Sequence, residues 1–226
     1  MNLKPSSASM LRKRAWFIPK GIMEMRNHWE TVYGQKRPEG VSWYKPHLEL
    51  SLELLKRAGL NEDSHVIDVG GGASTLSDDL LSRGVKNVTI LDLSSQALAA
   101  SKSRLGHRAS EVNWIEADIT QARLPENTYD IWHDRAVFHF LTKADDRWRY
   151  AKVMKESLKP TGQIIMATFS LQGPPRCSGL DVIRYSPDTL QTELGKDFRL
   201  IEAVDEEHRT PSDIIQKFVY CRFQRI

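Results

Sequence analysis

Between His65 and Leu76 the chain reads HVIDVGGGASTL, and this stretch restricts the fold more than any other. Val66, Ile67 and Val69 form an apolar, β-branched run of the kind a buried parallel strand requires, and Asp68 interrupts it near its end. Three glycines follow at 70, 71 and 72. A helical pattern then runs through Leu76, Leu80 and Leu81. A strand that delivers into a glycine turn and a helix makes a ligand-binding edge. Glycine lets the turn tighten and lets a ligand approach the backbone. The amides at the helix start add donors.

Two cofactor classes use such an edge. A dinucleotide site asks for G-x-G-x-x-G, and counting from Gly70 the last glycine falls on Thr75, so that fingerprint fails. The stretch resembles motif I of the class I S-adenosylmethionine (SAM) methyltransferases, an acidic residue followed by x-G-x-G-x-G. Asp68, Gly70 and Gly72 match it, Gly71 lies between, and Ser74 stands where the third glycine usually sits. The resemblance implies that Asp68 organises the amino-acid end of SAM, where a carboxylate suits an ammonium.

At 226 residues the chain is long enough for one full α/β core. No apolar run approaches the roughly 20 residues of a membrane span. Cys177 and Cys221 make neither a disulfide framework nor a metal-ligand spacing, which is simplest in a reducing compartment. The net charge of +3 is unevenly placed. Residues 1–23 hold five basic residues and no acid, leaving 27 basic against 29 acidic residues elsewhere. The body is therefore not a basic nucleic-acid binder. The expected organisation is a basic, disordered tail over 1–23 and a SAM-dependent methyltransferase domain over 24–226. The expected location is cytoplasmic, or mitochondrial if the tail is a presequence.

Further along, helices are expected near 24–35, 47–58, 74–83, 95–106, 144–158 and 186–194. Strands are expected near 65–69, 87–92, 112–116, 129–133, 162–169, 198–204 and 215–224. The strand–helix alternation gives a mostly parallel sheet with helices on both faces. The short link before the last strand suits an antiparallel hairpin. The fold class is thus α/β, a Rossmann-like seven-stranded methyltransferase sheet with an antiparallel last strand.

Ligands in such sheets bind at the carboxyl ends of the parallel strands. Asp92, followed by Leu93, ends the second strand, and its carboxylate can accept from two ribose hydroxyls. Asp118 follows the third strand, and the resemblance implies that it and the Ile119 amide read adenine. After the fourth strand, in YDIWHDRAVFHFL, the resemblance puts the His133 and Asp134 backbone beside the sulfonium. Asp134-Arg135 is similar to the D-R-x-A segment of thiopurine-type small-molecule methyltransferases and to the D-K-G-T segment of elongation-factor or citrate-synthase lysine methyltransferases. Ala136-Val137 departs from the second. The segment HWETVYGQKRPEGVSWY is similar to the W-x-x-x-Y … W-Y opening of those lysine enzymes.

Trp29, Tyr33 and Trp43 are accordingly candidates for the acceptor site, since aromatic faces suit a sulfonium or alkylammonium. Packing between the N-terminal helices and the sheet is the competing role. Arg184 and Tyr185, in a loop after the fifth strand, and His208, in a loop joining the last two strands, are further acceptor-site candidates. Asp134, Arg135 and His139 are the catalytic candidates. No metal is expected.

The expected function is transfer of the SAM methyl group to a small-molecule acceptor, releasing S-adenosyl-L-homocysteine (SAH). A protein-lysine acceptor is the alternative, and a SAM-binding module without catalysis is the alternative of another class. The residues do not specify an oligomeric state.

Overall fold

The computed structural model describes residues 20–226. Most of the expected 1–23 tail lies outside these residues, and helix α1 begins at Lys20, four residues before the expected start, and runs to Gln35. After α2 (Glu49–Arg57), strands and helices alternate: β1 (His65–Val69), α3 (Leu76–Ser82), β2 (Asn87–Asp92), α4 (Ser95–Leu105), β3 (Val112–Glu116), β4 (Tyr129–Arg135), α5 (Ala144–Ser157) and β5 (Leu158–Phe169). A two-stranded ribbon, β6 (Arg176–Cys177) and β7 (Leu180–Asp181), forms where only a loop is expected. α6 (Pro187–Leu194), β8 (Phe198–Arg209) and β9 (Ile215–Arg225) complete the chain.

The strand order is β3-β2-β1-β4-β5-β9-β8. β9 runs antiparallel to both β5 and β8, and the other pairings in this sheet are parallel. The order reverses beside β1, so the carboxyl ends of β1 and β4 open a crevice there.

Strand parity sorts the side chains between two cores. Val66, Ile90, Ile131 and Ile165 pack under α2, α3 and α4. Ile67, Val69, Trp132, Ile164 and Met166 pack against α5 and α6. Asp68, His133 and Arg135 therefore share the α2 face, and Asp134 faces α5. β4 runs to Arg135 rather than 133, because Asp134 and Arg135 still pair with Met166 and Ala167. β8 runs to Arg209, so Glu207, His208 and Arg209 lie in a strand and not in the expected loop.

Candidate active site

The glycine turn is shaped by what crowds it. Gly70 has φ +70, and a Cβ there would lie 2.0 Å from Val137 Cγ2. A Cβ on Gly71 would lie 2.2 Å from Asp68 Oδ2, and one on Gly72 would lie 2.5 Å from Asp92 Oδ2. The two carboxylates are thus packed directly against bare backbone. Ser74 takes the place of a third glycine without strain, and its hydroxyl accepts from the Leu76 amide at the start of α3 (3.1 Å).

The three acidic residues keep acceptor capacity. Asp68 is buried, with Oδ1 2.7 Å from His133 Nδ1, while its buried Oδ2 has no partner among the described residues. Asp92 accepts from the Gly72 amide (3.0 Å) and the Ser94 amide (2.8 Å), leaving further lone pairs. Asp118 Oδ1 takes both the amide and hydroxyl of Thr120, each at 2.7 Å. Asp92, Leu93, Asp118 and Ile119 line one cavity with Gly70 and Arg135.

Burial pushes the Asp92 carboxyl up to about 6, against the opposing pull of the Ser94 and Gly72 amides. Protonation replaces an acceptor with a donor, so affinity for a ligand that donates two hydroxyls is expected to fall below pH 6, by about tenfold per unit. Asp134 is likewise raised to about 6 by burial. Both carboxyls bind protons more readily in the fold than in the unfolded chain, so stability is expected to rise as pH falls from about 6 to about 4. Calorimetric titration and thermal melts at pH 7 and 5 check the opposite signs.

A roof covers this edge. The Trp29 ring centroid lies 6.2 Å from that of Tyr33, 5.7 Å from Trp43 and 5.1 Å from Phe140. Trp29, Tyr33 and Trp43 line the same cavity as Asp92 and Asp118. Burial, and then the nearby Asp92 carboxylate, raise the Tyr33 hydroxyl's pKa. These aromatics therefore cover the edge where Asp92 and Asp118 lie. Glu30 fastens α1 in place by accepting the Ser95 amide (2.6 Å) and the Gln96 amide (3.3 Å), which open α4. Arg26 pairs with Glu116 at the end of β3.

Of the three catalytic candidates, only Arg135 reaches the cavity. Asp134 points to the α5 face, as its parity requires. Its carboxylate accepts from the Tyr150 hydroxyl and from the Val137 and Phe138 amides. His139 is buried against Phe140 and Phe169, takes the Phe169 amide on Nδ1, and is pushed down to about 3 by burial and then by Arg135. It lies outside the cavity wall.

The loop candidates are also committed elsewhere. Arg184 holds the Leu171 and Gly173 carbonyls. Tyr185 is buried, with its ring centroid 5.7 Å from that of Phe138. Buried His208 meets the Ser42 carbonyl through Nε2 (2.7 Å). The His133 side chain is not on this cavity wall but beneath it, against Asp68.

Phe140, Leu141 and Cys177 do line the cavity. Sequence reasoning missed the first two because FHFL lies beyond the expected end of the fourth strand near 133, in a short turn of helix at Phe138–Phe140. Cys177 arrives through the short β6–β7 ribbon, which carries no periodicity. Burial pushes its thiol up to about 12, so it stays neutral. Ala136, also on the wall, has φ +72, a conformation in which a Cβ is strained. Ala136→Gly is expected to stabilise the fold by about 1 kcal/mol, the left-handed cost outweighing glycine's extra unfolded freedom. A denaturant titration reads this out.

Residues 66–162 match the family model described as a methyltransferase domain. The match runs from β1 into β5 and marks this segment as a methyltransferase domain. The eEF1A lysine and N-terminal methyltransferase of Mus musculus is 28% identical over 120 residues, 52% of this chain and 17% of that relative. The chain thus spans about a sixth of that relative's length. Two solved structures share the fold of the methyltransferase domain. One is N-methyltransferase NodS from Bradyrhizobium japonicum WM9 in complex with SAH, with TM-score 0.67 and 17% identity, covering 88% of this chain and 97% of that one. The other is Burkholderia thailandensis 1,6-didemethyltoxoflavin-N1-methyltransferase, with bound 1,6-didemethyltoxoflavin and SAH. It has TM-score 0.65 and 16% identity, and covers 91% of this chain and 85% of that one.

Proposed function

We propose that this chain transfers the methyl group of SAM to a small-molecule acceptor. The carrying observation is the cavity wall. The aromatic and apolar side chains Trp29, Trp43, Phe140, Leu141 and Cys177 line one cavity with Gly70, Asp92 and Asp118. A roofed, aromatic-lined space suits a compact, flat acceptor better than a protein surface.

The residues fit the cofactor. The unpartnered Oδ2 of Asp68 suits an ammonium, Asp92 suits two ribose hydroxyls, and Asp118 with Ile119 suits adenine. SAM supplies an activated methyl on a sulfonium. The chain's own work is to hold the acceptor in line and exclude water, and orientation of this kind lowers a barrier by several kcal/mol. Among the described lining residues, no group is set to take a proton near neutral pH at the β4 end: Cys177 is a neutral thiol, and His139 lies off the wall.

The test is calorimetry with SAM, SAH and NAD, followed by labelled SAM with small thiols, heteroaromatic amines and cell lysate in parallel. Micromolar SAM and SAH binding with label on a small molecule supports the reading. Tight NAD binding, or none by any of the three, sinks it. Label on lysate protein alone favours a lysine acceptor, the reading to which the name of the mouse relative points.

A further inference from the structure

A run of buried polar groups lies under the glycine turn on the α2 face. The parallel register sets Asp68 directly beside His133. His133 Nδ1 is 2.7 Å from Asp68 Oδ1, and its Nε2 is 2.9 Å from Ser51 Oγ, which α2 brings in from above the sheet. All three residues are buried. The Tyr220 hydroxyl faces Ser51 and accepts from Arg135 Nε at 2.8 Å. Arg135 Nη1 in turn donates to the Trp43 carbonyl at 2.8 Å.

The donors can all run one way. The guanidinium donates to Tyr220, Ser51 donates to His133 Nε2, and His133 Nδ1–H donates to Asp68. The run ends on the Asp68 carboxylate. Its effect at Asp68 is geometric: one carboxylate oxygen is held, and the other stays unpartnered beneath Gly71, facing the turn.

We propose that His133 and Ser51 are positioning residues for the amino-acid end of the cofactor: they hold Asp68 so that its free oxygen meets the ammonium, without touching the cofactor themselves. The proposal rests on the SAM reading above. It separates the cofactor into two halves, because Asp92 and Asp118 hold the adenosine half by contacts outside this run.

The experiment compares two ligands that share adenosine. SAH has the amino-acid end, and 5′-methylthioadenosine lacks it. His133→Phe is expected to weaken SAH by about 30-fold or more and to leave 5′-methylthioadenosine within twofold. His133→Asn keeps a donor near the Nδ1 position and is expected to restore SAH to within about fivefold of wild type. Ser51→Ala, a milder change, is expected to cost SAH about five- to tenfold. Thermal melts confirm folding, and Ser51→Ala carries the test if His133→Phe does not fold. Equal loss of both ligands in Ser51→Ala, or no loss of either, overturns the positioning role. A wild-type chain that binds neither ligand would instead overturn the SAM reading itself.

Discussion

Asp92→Ala is expected to lower SAM affinity by about 100-fold or more. The carboxylate closes β2, lines the cavity, and already orders the turn through the Gly72 and Ser94 amides. Removing it strips two ligand hydroxyls of a charged acceptor and leaves two protein amides unsatisfied. At about 1.5–3 kcal/mol for a hydrogen bond to a charged group, two such losses exceed the roughly 2.7 kcal/mol that corresponds to 100-fold. Asp92→Asn isolates the charge, because it retains one carbonyl acceptor and the local shape, and should fall between. Calorimetry with SAH measures both variants. Wild-type affinity in Asp92→Ala would refute the ribose assignment.

Gly71→Ala is expected to abolish detectable binding and to destabilise the fold by about 1–3 kcal/mol, the usual cost of forcing a methyl into a filled site. The new Cβ would stand 2.2 Å from Asp68 Oδ2. A long, flexible side chain could swing away from it. Asp68 cannot, because it is short, buried and held through its other oxygen by His133. Relief therefore requires the turn itself to shift, and the turn also carries the Gly70 and Gly72 contacts. The methyl would also cover the oxygen assigned to the ammonium. Thermal melts with and without SAH measure both effects. A variant that binds SAH normally would show that Oδ2 is not a ligand contact.

The glycine turn, Asp92 and Asp118 were legible in the sequence because each sits in a local pattern, a strand followed by its own turn. β4 shows where that legibility ends. Asp134 and Arg135 are neighbours in sequence, and which of them faces the cavity depends on strand parity. Parity depends on how far the strand continues, and continuation depends on β5 supplying partners at Met166 and Ala167. His208 was misplaced for the same reason, since β9 partners carry β8 five residues beyond the expected end, to Arg209. Ser51 and Tyr220 were invisible as site-related residues. They meet His133 and Arg135 only after α2 folds over the sheet and β9 inserts beside β5, and no spacing along the chain encodes either event.

Glu30 ties two events together. The carboxylate that docks α1 is spent on the first amides of α4, immediately after the Asp92 turn. A ligand resting on Asp92 lies beneath Trp29, on the same helix as Glu30. Docking of α1 and occupancy of the cavity therefore share one coupling free energy, and each must strengthen the other by the same factor.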